Sequence, residues 1–170
     1  MASWIAADAP ERVDRLVLAS TLPNAGASSI HVVRESLKLV AALCKVGSSA
    51  EIALVNSILS DDFRRTQPAR VASIERAVRE APTSPRNLLL LAIAAVRHDG
   101  TCALRGLRVR TLILAGRRDP IVGRTAEREL LHDLPNARLE ILENVGHDLS
   151  LEAPDETAAR VLAFLDERDG

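Results

Sequence analysis

Two stretches in the second half of the chain decide the fold: Leu112–Pro120 reads LILAGRRDP, and Ala137–His147 reads ARLEILENVGH. Each begins with a short apolar run, as strands of a parallel sheet do, and each then enters a loop. The first loop carries Asp119 and the second carries His147. Parallel strands end at one edge of their sheet, where such folds bind ligands, so we expect the two side chains to meet there. An acid followed by a histidine is the second half of one chain order of the Ser–Asp–His triad.

The other elements follow from the same kind of pattern. A third apolar run, Leu16–Ala19, predicts an earlier strand, and the later strands are predicted over Val109–Ala115 and Ala137–Leu142. The last of these alternates between apolar and polar residues, which indicates a position near a sheet edge. Helical patterns follow at about 123–134 and from Pro154 onward. This order predicts an α/β fold with three parallel strands and right-handed crossovers.

The region between the first two strands is predicted to be helical throughout. Its apolar residues recur at spacings of three and four, which places helices at about 29–46, 49–60, 68–81 and 84–97. Residues 1–9 form a further predicted helix, which Pro10 ends. The expected division is therefore an α/β core formed by residues 1–27 and 106–170, with a helical insertion over residues 28–105.

The composition is that of a globular domain. The 170 residues are 47% apolar and 26% charged, with a net charge of −1, which gives no electrostatic reason to bind nucleic acid or an anionic membrane. No apolar run approaches the roughly 20 residues of a membrane span, and the N-terminal residues lack the basic region of a signal peptide. We therefore expect a soluble, cytoplasmic protein without nucleic-acid or membrane partners.

The two cysteines, Cys44 and Cys102, are expected to be reduced thiols. No C-x-x-C spacing occurs, so a structural zinc site is not expected, and no motif indicates a cofactor.

The chemistry expected of Asp119 and His147 is proton transfer. His147 would act as a general base, and Asp119 would hold the imidazole in one tautomer and stabilise its protonated form. Gly146 is expected to let the backbone turn sharply before the histidine. The alternative is that His147 is an ordinary polar loop residue and that Asp119, which precedes Pro120, is a turn former.

Three motifs resemble those of the α/β-hydrolases. They are Ala9–Leu18 (APERVDRLVL), Thr111–Pro120 (TLILAGRRDP) and Val145–Leu149 (VGHDL), the last followed by Glu152–Pro154 (EAP). The motifs occur at the family's spacing, and their wording is most similar to hydrolases of the 3-oxoadipate enol-lactonase type.

The resemblance implies the C-terminal part of an α/β-hydrolase fold, with the helical insertion in the place of the family's cap. It also implies that Asp119 is the triad acid, that His147 is the triad histidine, and that the substrate is a small ester or lactone. One departure is Arg110, which stands where the family often has a proline before the strand.

A larger departure concerns the nucleophile. No G-x-S-x-G motif occurs among the 170 residues, and Met1 falls where the family has the methionine that follows this motif. The nearest serine, Ser3, is expected to lie within a helix and not on a strained strand-to-helix turn. We therefore expect no nucleophile in this chain and an N-terminally truncated sequence, which also lacks the upstream strands and the oxyanion-hole amides.

Two other clusters invite alternative interpretations. Three His–Asp pairs, His98-Asp99, His132-Asp133 and His147-Asp148, could indicate a metal phosphohydrolase, although that chemistry uses all-helical folds. Arginines crowd the predicted cap and could attract an anionic substrate, but such a run is more often a solvated helix face: Arg64, Arg65, Arg70, Arg76, Arg79 and Arg86.

Two functions remain open from the sequence. The first is a hydrolase of small esters or lactones that is inactive as this chain alone because the serine is missing. The second is a catalytically inactive remnant or a partner-binding fragment, whose first strand, Leu16–Ala19, would present an unpaired edge able to mediate self-association.

Overall fold

The computed structural model describes residues 2–25 and 48–167, without the side chains of residues 48–50, 85, 88 and 92. The helix predicted over 29–46, together with His31 and Cys44, lies outside the described residues. Cys102 is exposed and is not part of a disulfide.

The strands form one parallel sheet in the order β1 (Arg15–Ala19), β2 (Arg110–Gly116) and β3 (Ala137–Leu142). Each begins and ends within one residue of the prediction, because β1 and β2 are short apolar runs and β3 alternates between apolar and polar residues, and turn-forming residues follow each strand. In the described part of the chain, β1 and β3 are the two edges and β2 lies between them. The predicted α/β fold with three parallel strands, and the edge position of β3, are confirmed. Self-association through β1 stays a prediction.

Both faces of the sheet are covered by apolar side chains, as expected for a parallel sheet. Successive residues of β2 point to opposite faces, so Ile113 packs in one core while Leu112 and Leu114 pack in the other. Burial of each such side chain contributes about 1.5–3 kcal/mol to folding. The first core is formed by Ala6, Leu16, Leu18, Leu104, Leu107, Ile113, Leu130 and Leu134; the second is formed by Leu112, Leu114, Leu142, Val145, Leu149 and Phe164.

The helices that surround the sheet have bounds close to those predicted from periodicity. Within the described ranges they are α1 Ala2–Asp8, α2 Ser48–Ile58, α3 Asp61–Thr66, α4 Pro68–Glu80, α5 Pro85–Val96, α6 Thr101–Leu104, α7 Arg124–Asp133, α8 Leu149–Glu152 and α9 Pro154–Asp166, with a 3-10 turn at Pro10–Arg12. The short helices α3, α6 and α8 were not predicted, because four to six residues do not display a helical period. The sequence also predicts a loop over Asn144–Leu151, and this loop is shorter than predicted because α8 begins within it, at Leu149.

Local sequence explains where several helices begin. Ser60 and Ser84 precede α3 and α5, and each side-chain oxygen accepts a hydrogen bond from the backbone N–H three residues later. Proline occupies the first turn of α4, α5 and α9, where its missing N–H costs nothing. These are ordinary helix-start signals.

Arg110, which replaces the proline common before this strand in the resembled family, has a structural role. Its Nη2 donates to Glu167 Oε2 at 2.8 Å, which ties the first residue of β2 to the residue that follows α9. Arg110 therefore lies at the N-terminal end of β2, whereas Asp119 lies beyond the C-terminal end of the same strand.

The apolar helix α5 is exposed over much of its surface among the described residues, including Leu89, Leu90, Leu91, Ile93 and Val96. A helix that is apolar on all sides is usually buried, so its sequence alone does not predict this exposure. No helix in the described ranges has both the length and the hydropathy required to cross a bilayer. The division into a core of residues 1–27 and 106–170 and an insertion of residues 28–105 stays a prediction.

Candidate active site

The loops that follow β2 and β3 are joined at the C-terminal edge of the sheet. The backbone N–H of Arg117 donates to the carbonyl of Leu142, and that of Arg118 donates to the carbonyl of Val145, both at 2.9 Å. The Arg117 guanidinium adds two hydrogen bonds to the Glu143 carboxylate, at 3.1 and 2.9 Å. This pair raises the pKa of Arg117 and lowers that of Glu143, chiefly through the hydrogen bonds themselves. The two loops therefore form one unit and are not independent.

Asp119 has a buried carboxylate whose two oxygens contact different partners. Its side chain is 0% exposed. Oδ1 accepts hydrogen bonds from the backbone N–H groups of Ile121 and Val122, at 2.7 and 2.9 Å. Oδ2 faces the other loop and lies 2.9 Å from Nδ1 of His147. The turn that precedes α7 thus fixes the carboxylate and leaves one oxygen for the histidine.

His147 is held at both its backbone and its ring. Its backbone N–H donates to the carbonyl of Ile58 at 3.0 Å, and its ring nitrogen Nδ1 contacts Oδ2 of Asp119. The side chain is 26% exposed. Within the described residues Nε2 has no hydrogen-bond partner, so this nitrogen is available to a reacting group. The sequence predicted that Asp119 and His147 meet at this edge, and the structure places them in hydrogen-bond contact.

Glycine at two positions is required by the close approach of backbones. A Cβ on Gly116 would lie 2.1 Å from the carbonyl oxygen of Gly146 and 2.4 Å from that of Val145. A Cβ on Gly146 would lie 2.4 Å from Oε1 of Glu152 and 2.7 Å from the backbone N of Ser60. The φ of Gly146 is not in the left-handed region, and the structure gives a reason for glycine there besides the expected turn, because a side chain would have no room.

The arrangement can perform general acid–base chemistry. A carboxylate on Nδ1 keeps the proton on that nitrogen, which leaves the Nε2 lone pair free to accept a proton from a hydroxyl nucleophile. The same carboxylate then stabilises the imidazolium that forms. Within the described residues, no serine hydroxyl is hydrogen-bonded to His147, and Ser3 lies within α1 as expected.

Ser20, which the sequence did not single out, is unusual among the serines of this edge. It follows β1 directly and has a φ of 44°, a left-handed conformation that is rare for a residue with a side chain. Its hydroxyl oxygen is buried and has no hydrogen-bond partner among the described residues. The sequence predicts only a loop after this strand, over Thr21–Gly26, and nothing in the local sequence signals the strain at Ser20.

The remaining His–Asp pairs do not join this site. Nε2 of His98 contacts the carbonyl of Leu22, and Asp99 accepts from the N–H of Thr101. His132 and Asp133 form an exposed contact at the end of α7. Asp148, beside His147, caps α8 through the N–H of Leu151. In the part of the chain that the structure describes, no three His, Cys, Asp or Glu side chains form a group able to hold a metal ion.

The arginines of the predicted cap mostly contact their own helices. Arg64 pairs with Asp61, Arg65 pairs with Asp62 at 2.5 Å, and Arg79 pairs with Glu75 at 3.7 Å. Arg70 instead donates to the carbonyl of Leu151 at 2.6 Å and lies over the ring of Phe63. These contacts favour the solvated-face interpretation over an anion site.

A cavity of about 610 Å³ lies elsewhere and does not belong to this site. Its lining includes Val13, Arg108 and Val109, which precede the strands, so it opens at the N-terminal edge of the sheet. Ligands of parallel sheets bind at the opposite edge, where Asp119 and His147 lie.

Glu127 is a buried carboxyl group near the candidate site. It lies on α7 and is 8% exposed. Burial raises its pKa, Asp119 raises it further, and Arg117 and Arg124 oppose the shift. Because the pKa of Glu127 is raised in the folded state, ionisation of this carboxyl lowers the stability of the fold at pH values above the folded pKa. Below the pKa of the unfolded state the carboxyl is protonated in both states, and it then has no such effect.

We therefore expect Glu127→Gln to stabilise the protein at neutral pH and to have no effect in acid. The melting temperature at pH 7 should therefore rise, and it should be unchanged at a pH where the carboxyl is protonated in both the folded and the unfolded state. Thermal melts followed by circular dichroism between pH 3.5 and 8 test this, with Glu129→Gln on the same helix as the control. A gain that is equal at every pH would contradict the burial argument.

The chain was compared with known proteins by sequence and by structure. No family model matches the sequence. Polyketide synthase ThaQ of Burkholderia thailandensis is 39% identical over 74 residues, which are 44% of this chain and 4% of that protein. This local match is too short to assign a family.

The similarity to solved structures covers nearly the whole chain. An α/β hydrolase enzyme from a Medee basin deep-sea metagenome library superposes with a TM-score of 0.84 and 21% identity, over 99% of this chain and 62% of that one. The enol-lactonase from Burkholderia xenovorans gives 0.79 and 22%, over 98% and 61%. An N-acyl homoserine lactone degrading enzyme gives 0.74 and 21%, over 96% and 62%.

These similarities establish the fold. The chain has the architecture of the C-terminal part of an α/β-hydrolase, as predicted, and its resemblance to enol-lactonases is confirmed at the level of the fold. It spans about three-fifths of the length of these solved chains.

Proposed function

We propose that this chain carries the acid and the base of a serine hydrolase that acts on small esters or lactones. The observation that carries the proposal is the 2.9 Å contact between the buried Asp119 carboxylate and Nδ1 of His147, at the ligand-binding edge of an α/β-hydrolase fold. Structural similarity to an enol-lactonase and to a lactone-degrading enzyme supports the substrate class.

The reaction follows from the position of the free nitrogen. Nε2 of His147 accepts the proton of a serine hydroxyl as the serine oxygen attacks the ester carbonyl carbon. The protonated ring then donates this proton to the leaving alkoxide, which departs as the alcohol and leaves an acyl-serine. Nε2 next accepts a proton from water as the hydroxide attacks the acyl carbon, and the proton returns to the serine as the carboxylic acid leaves. Asp119 stabilises the imidazolium in both halves.

The nucleophile in this scheme is a serine outside these 170 residues. The G-x-S-x-G motif that presents such a serine is absent from the sequence, and the similar solved chains are longer than this one. We place the serine in a segment of the same polypeptide that precedes the α1 residues. We call the form of the protein that contains this segment the nucleophile-bearing polypeptide.

The first test is to read the coding sequence upstream of Met1. An in-frame G-x-S-x-G immediately before it supports the proposal, and a stop codon without that motif contradicts it. The nucleophile-bearing polypeptide should hydrolyse p-nitrophenyl acetate and a small lactone, and a fluorophosphonate probe should label its serine. Hydrolysis that persists in the His147→Ala variant would contradict the role of His147.

A second test uses the 170-residue chain alone. We expect it to hydrolyse p-nitrophenyl acetate no faster than its own His147→Ala variant, because no serine hydroxyl of the described residues is hydrogen-bonded to His147. Stopped-flow detection of nitrophenol measures both. A burst that depends on His147 would place the nucleophile within these residues, and Ser20→Ala would then be the first variant to examine, given the strained backbone and unpartnered hydroxyl of Ser20.

A further inference from the structure

We call residues 143–148, which join β3 to α8 and carry His147, the histidine loop, and a buried polar pair packs against it. Ser60 is 3% exposed and Glu152 is 9% exposed. The Ser60 backbone N–H donates to Oε1 of Glu152 at 3.1 Å, and the Ser60 hydroxyl donates to Oε2 at 2.5 Å. Ser60 precedes α3 in the predicted cap, whereas Glu152 ends α8, directly after the histidine loop. The pair therefore joins two segments that are far apart in the sequence.

The same two segments also contact the backbone that leads into His147. The N–H of His147 donates to the carbonyl of Ile58, two residues before Ser60. The Ser60 hydroxyl oxygen lies 3.4 Å from the carbonyl of Asn144, three residues before His147. Gly146 is packed against Glu152, Ser60 and Ile58 so closely that a Cβ there would lie under 3 Å from all three. A shift of this cluster would therefore move the backbone that carries the imidazole.

Packing alone does not explain why residue 152 carries a carboxylate. Burying a charged group is costly, and within the described residues no arginine, lysine or histidine pairs with Glu152. The carboxylate instead receives one N–H and one O–H from the same residue, and hydrogen bonds to a charged acceptor are shorter and stronger than neutral ones. Such bonds fix direction as well as distance. An apolar residue of similar size could fill the space but could not fix Ser60.

We propose that Ser60 and Glu152 are positioning residues that hold His147 in register with Asp119. They act through the backbone of residues 144–147 and do not contact the reacting atoms. The inference rests on the proposed role of His147 as the general base. It also implies that the cap contributes to the catalytic machinery, since the position of the base depends on a residue that lies between α2 and α3.

The test uses the 170-residue chain and does not require hydrolysis. The chain is labelled with ¹⁵N-histidine, and the Nδ1–H signal of His147 is assigned by its loss in His147→Gln. We expect Ser60→Ala and Glu152→Gln to shift this signal from the deshielded position of a hydrogen-bonded N–H toward that of an N–H in water. Because the two residues act as a pair, the double variant should shift it no further than the larger single change.

The controls are Ser57→Ala and Glu156→Gln. Among the described residues the Ser57 hydroxyl donates to the carbonyl of Leu54 in its own helix, α2, and Glu156 pairs with Arg160 on the surface of α9. Neither should move the His147 signal. Thermal melts identify any variant that does not fold, and Glu152→Gln, which keeps the size and shape of the side chain, carries the test if Ser60→Ala does not fold. Folded Ser60 and Glu152 variants with a lower melting temperature but an unchanged His147 signal would overturn the proposal, because the pair would then be merely structural.

Kinetics of the nucleophile-bearing polypeptide give a second readout. Glu152→Gln should lower kcat about 10²-fold with KM little changed, because misplacement of a catalytic group by a distant change has an effect of this size. A changed KM at constant kcat would contradict a positioning role. Absence of hydrolysis in the parent protein would count against the proposed function, and the His147 signal would still decide the positioning role.

Discussion

Asp119→Asn is expected to lower kcat of the nucleophile-bearing polypeptide by about 10⁴-fold, the loss typical when a triad acid is replaced by its amide. The substitution changes one oxygen to an NH₂ group and leaves size and shape intact. Its effect should therefore come from the direction of one hydrogen bond, and the melting temperature should change little.

The structure fixes which way the new amide would point. Two backbone N–H groups, from Ile121 and Val122, donate to Oδ1 of Asp119. An asparagine would keep its carbonyl oxygen at that position, because an NH₂ group there would face two donors. Its NH₂ would then face Nδ1 of His147, where Oδ2 now lies at 2.9 Å. Nδ1 would become an acceptor, the ring proton would move to Nε2, and Nε2 could no longer accept a proton from serine.

Two measurements check this expectation. Steady-state kinetics on p-nitrophenyl acetate give kcat, and ¹⁵N spectra of the 170-residue chain report which ring nitrogen carries the proton. The matched control is Asp148→Asn, which changes the neighbouring acid that caps α8. Asn is about as good as Asp at a helix N-cap, so this variant should retain most of its activity. Equal losses in the two variants, or a ring proton that stays on Nδ1 in Asp119→Asn, would contradict the assignment of Asp119.

The parts of the site that the sequence predicts are those set by strand order. Asp119 and His147 each follow a parallel strand, and parallel strands end at one edge, so their meeting follows from topology without knowledge of any contact. The strand bounds are predictable for a similar reason, since β2 is a continuous apolar run because it is buried on both faces.

The parts that the sequence does not predict are long-range contacts between residues with ordinary local roles. From the sequence, Ser60 is the last residue of the helix predicted over 49–60, and Glu152 is a charged residue before a helix that begins with proline. Their contact joins residues 92 positions apart, and no periodicity encodes such a distance. Glu127 likewise reads as a surface position of a helix, although its neighbours bury it. The strain at Ser20 depends on how β1 leaves the sheet, which the local sequence does not signal.

Gly116→Ala is expected to be the most destabilising small change in the site, at about 3 kcal/mol or more, the upper part of the range for overpacking a tight contact. The added Cβ would lie 2.1 and 2.4 Å from two carbonyl oxygens of the histidine loop, at Gly146 and Val145. Both are backbone atoms, so no side-chain rotation relieves the clash. The loops after β2 and β3 would have to separate, which would also break the Asp119–His147 contact.

Gly123→Ala is the matched control, because a Cβ at Gly123 meets no atom within 4 Å. Gly123 is the N-cap of α7 with a φ of −95°, which alanine can adopt, so its cost should stay within about 1 kcal/mol. Urea unfolding of the 170-residue chain, followed by circular dichroism, compares the two variants with the parent. The His147 Nδ1–H signal should be lost in Gly116→Ala and kept in Gly123→Ala. If Gly116→Ala unfolds at the same urea concentration as Gly123→Ala, the two loops do not pack backbone against backbone, and the geometry that joins Asp119 to His147 must be held by other contacts.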